Sequence, residues 1–173
     1  MKLPYATVDV FTTQRFGGNP LAVVLDGRGL STDQMQQIAT EFNYSETTFV
    51  LPPEDSANTA RVRIFTPRAE VPFAGHPNVG TAFVLAREAE LFGNPIGERL
   101  LFEENAGLVR VDTMSDGEQV AGAQLEAPEL FSIGDTISPG RVVECCALNP
   151  TDVDVQHHEP CIASAGLPFA FAA

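Results

Sequence analysis

Hydrophobic positions along the chain change their period several times, and each change marks an element. Valine-rich runs at residues 7–12 and 20–25, separated by Gly17-Gly18-Asn19, read as two strands joined by a glycine turn. The spacing then shifts to 3.6: Met35, Ile38, Ala39 and Phe42 form one apolar stripe. Ser31 stands where an N-cap belongs, Gln34 follows it by three, and Leu30 is placed to staple against Met35. An amphipathic helix is predicted here. Further strands are predicted at 46–51, 61–66, 100–103, 108–112 and 120–126, with Ser115-Asp116-Gly117 as a hairpin turn. Between them lies a second helix, from near Pro77 to just before Gly93, with proline at its start and glycine at its stop. Residues 79–86 carry no charge and are apolar or small on every side, so this helix is expected to be enclosed by curled strands.

The stretch 127–140 contains Pro128, Gly134, Pro139 and Gly140 and reads as a linker, followed by a short helix at 141–148. Cys145 and Cys146 in that helix are expected to pack rather than react. Residues 161–173 read as an apolar strand, and an apolar strand without a partner is an aggregation template unless something follows it. Within it, Gly166-Leu-Pro-Phe-Ala-Phe171 echoes Gly18-Asn-Pro-Leu-Ala-Val23. The expected organisation is an α+β domain over 1–127, a linker and short helix over 128–160, and over 161–173 the first strand of a second domain continuing past Ala173.

Composition narrows the partners. Of 173 residues, 44% are hydrophobic, enough for a substantial core, and 10 basic residues stand against 23 acidic ones. A net charge of -13 repels a phosphate backbone, so nucleic acid is excluded as an expected partner. No run approaches the roughly 18 apolar residues of a membrane helix, and the first residues lack the pattern of a signal or transit peptide. Cys145, Cys146 and Cys161 lack C-x-x-C spacing, which fits a reducing cytosol and a cytoplasmic protein. Asp152, Asp154, His157, His158 and Glu159 lack metal-ligand spacing and read as a solvated loop. No Walker loop, G-x-G-x-x-G or G-x-S-x-G is present, so nucleotide cofactors and serine hydrolysis have no support.

Two places can carry chemistry. In Gly75-His76-Pro77-Asn78, proline at the first helical position makes His76 the cap and leaves the N–H groups of His76, Asn78 and Val79 at the positive end of the helix, where a carboxylate binds well. Gly75 would let a ligand approach the backbone, and His76 would donate a hydrogen bond or relay a proton. The same residues also suit a purely structural cap and turn. Glu46 stands at the mouth of an apolar strand, a position suited to general acid–base work and equally to a solvated strand edge. Asp9 in the first strand is a weaker candidate of the same kind.

Four motifs in order are similar to the phenazine biosynthesis PhzF family: Val8-Asp-Val-Phe-Thr12; Phe16-Gly-Gly-Asn-Pro-Leu-Ala-Val-Val24; Ser45-Glu-Thr-Thr-Phe-Val50; and Ile64-Phe-Thr-Pro67 followed by Pro72-Phe-Ala-Gly-His-Pro77. Glu104-Asn-Ala-Gly107 and Leu125-Glu-Ala-Pro128 fit more loosely. The resemblance implies the diaminopimelate-epimerase-like fold, with two similar domains each wrapping strands around a central helix and the active site in the cleft between them. It implies isomerisation of trans-2,3-dihydro-3-hydroxyanthranilate by proton transfer, without metal or organic cofactor, and a homodimer. The family's catalytic glutamate falls on Glu46, and its substrate-contacting Gly-His pair on Gly75 and His76. On this expectation Glu46 shuttles the proton, His76 donates or relays, and the backbone of Gly75, His76, Asn78 and Val79 cradles the carboxylate of a small substrate. Two alternatives are an epimerase or racemase of another small carboxylate, and a non-catalytic binding or interaction protein. A two-thiol racemase is disfavoured, because no cysteine lies in either motif.

Overall fold

The computed structural model describes residues 2–117 and 119–173, which form two compact units, Met1–Pro128 and Glu129–Ala173. In the first unit, β1 (Tyr5–Val10) and β2 (Asn19–Val24) pair antiparallel, with Val10 opposite Asn19. Helix α1 (Thr32–Phe42) then crosses over to β3 (Glu46–Leu51), which runs parallel to β2 with Glu46 opposite Leu21. The start of α1 is a full capping box: the Ser31 hydroxyl accepts the Gln34 N–H and the Gln34 amide oxygen accepts the Ser31 N–H. Asn43, in the left-handed region at φ 53°, ends the helix.

The sheet continues through β4 (Ala60–Phe65), with β5 (Glu70–Val71) paired to the end of β4. After α2 (Gly75–Leu85) come a small hairpin of β6 (Glu90–Leu91) and β7 (Asn94–Pro95), then β8 (Arg99–Glu104), β9 (Gly107–Asp116) and β10 (Gln119–Glu126). The strand order is β1-β2-β3-β4-β8-β9-β10. Alternation along the strands separates two cores. Val24, Phe49 and Phe65 face outward onto Met35 and Ala39 of α1, while Leu21, Val23, Val50 and Ile64 face inward onto α2.

No residue of α2 is exposed, as its uncharged sequence predicts, and strands from both ends of the sheet pack against it. Gly80 is the point of closest approach: a Cβ there would lie 2.5 Å from Leu21 Cδ2 and 2.7 Å from Val10 Cγ2. The buried Thr81 hydroxyl meets that of Thr48 at 2.8 Å, so neither is left unpaired.

The helix is displaced from its expected bounds. It begins at Gly75, with Ala74 as an N-cap that offers no side chain, so Pro77 is the third residue of the first turn and His76 is inside the helix rather than its cap. It ends at Leu85 because Arg87, Glu88 and Glu90 offer nothing apolar to bury, and Phe92 and Gly93, both at positive φ, turn the hairpin between β6 and β7.

The second unit comprises β11 (Ser132–Thr136), α3 (Pro139–Cys146), a 3-10 turn at Pro150–Asp152, β12 (Cys161–Ser164) and β13 (Pro168–Phe171), with sheet order β11-β12-β13. The stretch expected as linker thus supplies an edge strand, Ile133 pairing with Ala163 despite the flanking prolines and glycines. Residues 161–173 are a hairpin rather than a single strand, because Gly166 at φ 127° reverses the chain. Both copies of the Gly-x-Pro motif therefore lead into the second strand of an antiparallel hairpin, β2 in one case and β13 in the other. α3 buries no residue, so Cys145 and Cys146 are exposed instead of packed. Among the described residues no helix is long and apolar enough to cross a membrane.

Candidate active site

Because β2 and β3 are parallel, their first residues, Asn19 and Glu46, emerge at the same end of the sheet, and the first turn of α2 arrives there too. His76 Nδ1 lies 2.7 Å from Glu46 Oε2 and Nε2 lies 3.1 Å from the Asn19 carbonyl oxygen. The two side chains retain only 9% (His76) and 20% (Glu46) of their exposure. A carbonyl oxygen only accepts, so Nε2 carries a hydrogen, and the short contact on the other side of the ring requires one more proton between Nδ1 and the carboxyl. The geometry thus places the two side chains to share a proton across this contact.

Three of the quoted motifs meet in this network. The Ser45 hydroxyl donates to Asn19 Oδ1 at 2.7 Å, fixing the residue whose carbonyl orients His76. Asn19 and Ser45 escaped the reading of individual residues because their partners are 57 and 26 positions away in sequence. The Phe11 ring centroid lies 6.2 Å from that of His76, although Phe11 is 73% exposed and sits at φ 62°. An open groove of about 590 Å³ is lined by Phe11, Val79, Met114 and Gly122 among others.

With the helix beginning at Gly75, its free N–H groups are those of Ala74, Gly75 and His76; Pro77 has none, and those of Asn78 and Val79 are the first with carbonyl partners inside the helix. The positive end of the helix thus sits earlier than the proline suggests. Asn78 is fully buried and its Nδ2 donates to the Ala74 carbonyl at 3.0 Å, so its side chain is not presented to a ligand, while Val79 borders the groove. Gly75 needs neither positive φ nor space: a Cβ there would meet only Leu125 Cδ2, at an ordinary 3.7 Å.

Asp9 is not joined to this network. Its Oδ2 accepts the Phe16 N–H at 2.8 Å and pins the loop between β1 and β2, in which Phe16 itself sits at φ 63°. Asp152 accepts from the Asn149 backbone and amide, and Asp154 from the Gln156 N–H, so each holds a local turn. The His158 ring lies 2.9 Å from the carbonyl of Glu159.

Residues 8–134 match the family of phenazine biosynthesis-like proteins, PhzC-PhzF. The chain is 45% identical over 167 residues to an uncharacterised isomerase of Mesorhizobium japonicum, covering 95% of this chain and 54% of that one. It is 37% identical over 169 residues to the trans-2,3-dihydro-3-hydroxyanthranilate isomerase of Pseudomonas chlororaphis, covering 95% and 57%. A solved structure from Pseudomonas aeruginosa, described as a predicted epimerase, superposes with a TM-score of 0.83 at 29% identity over 99% of this chain and 59% of that one. The chain therefore spans a little over half the length of these relatives. The four ordered motifs, the strands curled around α2 and these matches lead to one conclusion: the chain belongs to the PhzF family of phenazine biosynthesis-like proteins and has its α+β, epimerase-like fold.

Proposed function

We propose that Glu46 and His76 transfer a proton within a small cyclic carboxylate of the trans-2,3-dihydro-3-hydroxyanthranilate type. The observation that carries this reading is the 2.7 Å contact between the two side chains beside the open first turn of α2. With the shared proton on His76, Glu46 is a carboxylate able to take a proton from one ring carbon; once its carboxyl has exchanged with solvent, it delivers a proton to another. His76, held by Asn19, keeps the carboxyl aimed and balances its charge. The N–H groups of Gly75 and His76, at the positive end of the helix, hold the substrate carboxylate. The trans-2,3-dihydro-3-hydroxyanthranilate isomerases among its relatives support the substrate class.

Incubation with trans-2,3-dihydro-3-hydroxyanthranilate in D2O, followed by NMR, tests the reading. A rearranged product carrying deuterium at the newly protonated carbon is expected. Deuterium at the original carbon with inverted configuration, in an assay of other small carboxylates, would instead support an epimerase, which the P. aeruginosa structure favours. Absence of exchange with either would overturn both.

Gly75 provides a separate check of the carboxylate cradle. Gly75→Ala is expected to leave the thermal midpoint unchanged, since its Cβ fits, and to weaken binding of a ring carboxylate such as anthranilate by on the order of tenfold. Isothermal titration measures it; undiminished affinity would remove Gly75 from the site.

A further inference from the structure

The carboxyl of Glu104, at the end of β8, is enclosed without partners. Both of its oxygens are buried and lack a hydrogen bond, and so does Asn78 Oδ1. Strand alternation explains the burial: Leu100 and Phe102 point into the core around α2, and Glu104 is the next residue on that face. The Asn78 amide is near enough to the carboxyl to pull its pKa down, but burial outweighs this and pushes the acid's pKa up to about 8.

The charged and titratable groups on surrounding elements are engaged elsewhere. Glu103 accepts from Asn58 and from the N–H groups of Glu54 and Asp55, and Glu70 pairs with Arg63 and Asn105. Arg110, opposite Leu101 and hence on the other face of the sheet, bonds Asp112 through Nη2 although its buried Nε is unpaired, while His76 holds Glu46 and Asn19. A carboxylate here would add a buried charge to three unpaired acceptor atoms, whereas a carboxylic acid brings the missing donor.

We propose that Glu104 is a positioning residue: as the neutral acid it donates its O–H to Asn78 Oδ1 and accepts one Nδ2–H in return, closing an acid–amide ring that fixes the Asn78 side chain. The other Nδ2–H goes to the Ala74 carbonyl at 3.0 Å, at the start of the turn that carries Gly75 and His76. That turn has no side-chain cap of its own, so the buried pair secures it from inside the core. The effect on catalysis rests on the proposed function; the effect on the turn does not.

The test follows two NMR signals in the full chain, the Glu104 carboxyl carbon and the His76 Nε2–H that donates to Asn19. The carboxyl is expected to titrate near pH 8, with the His76 signal weakening as it does so. In Glu104→Gln, an amide–amide ring replaces the acid–amide ring, and the His76 signal should persist through the same range. Thermal stability gives an independent reading. The folded pKa is raised from 4.5, so the stabilisation is complete below about pH 4.5 and is lost as pH rises through about 8; the glutamine variant should lose that slope. A carboxyl that titrates near 4.5, or a His76 signal that weakens equally in Glu104→Gln, overturns the proposal. If these results hold and no proton exchange is found with substrate, the proposed function fails and the positioning role stands.

Discussion

Glu46→Gln is expected to fold like the parent chain and to transfer protons on the order of 10²–10⁴-fold more slowly. Glutamine matches the shape of glutamate, and its amide N–H can donate to His76 Nδ1 while Nε2 continues to donate to Asn19, so the 2.7 Å contact survives in neutral form. What disappears is the group that can accept and release a proton. The loss should fall on kcat, because the substrate carboxylate is assigned to the backbone of α2 and not to Glu46. Rates of product formation and deuterium incorporation, with thermal melts as a folding control, measure it. A variant that keeps its rate would return Glu46 to the role of a strand-edge residue.

Gly18→Ala is expected to damage both the fold and the site. A Cβ at Gly18 would lie 2.4 Å from the Val10 carbonyl oxygen and 3.1 Å from the Asp9 carbonyl carbon, backbone atoms that cannot swing aside as a side-chain end would. The next residue, Asn19, pairs with Val10 and supplies the acceptor for His76. Relieving the clash means shifting that strand start, at a cost of about 1–3 kcal/mol, or a drop in melting midpoint on the order of 5–10 °C. Activity should fall further than the melt alone explains, because the His76 ring loses its anchor. Gly75→Ala is the contrast: the same added methyl group, in a motif of the same network, with ligand affinity changed and the melt unaltered. An unchanged melting midpoint for Gly18→Ala would show that the loop yields without cost.

Elements whose signals are local were legible in the sequence. Ser31 and Gln34 cap α1 as their spacing predicts, and β3 occupies 46–51 because its apolar run is bounded by a helix stop and a proline pair. The enclosed character of α2 followed from its lack of charge, but its start did not, because Ala74 has no capping side chain and proline suits any position in a first turn. Glu46 and His76 came from the motifs; their contact, and the parts played by Asn19 and Ser45, depend on strand pairing that no spacing rule encodes. Glu104 was hidden for a related reason, since its surroundings come from a helix far away in sequence. The linker reading of 127–140 agrees with the break between units after Pro128 but missed the strand at Ser132–Thr136, because proline and glycine mark turns and edge strands as readily as they mark connections.

The enclosure of α2 also governs the order in which the chain can assemble. Its stability comes from strands at both ends of the unit, β1 near the start and β10 near the end, and an apolar helix of this kind gains little in isolation. Contacts so distant along the chain must close a long loop before they repay its entropy, so this unit belongs among the slower folders. The packing around α2 is complete only when β10 has joined the sheet. During synthesis, Glu46 and His76 would thus emerge from the ribosome well before the closed sheet could hold them in contact.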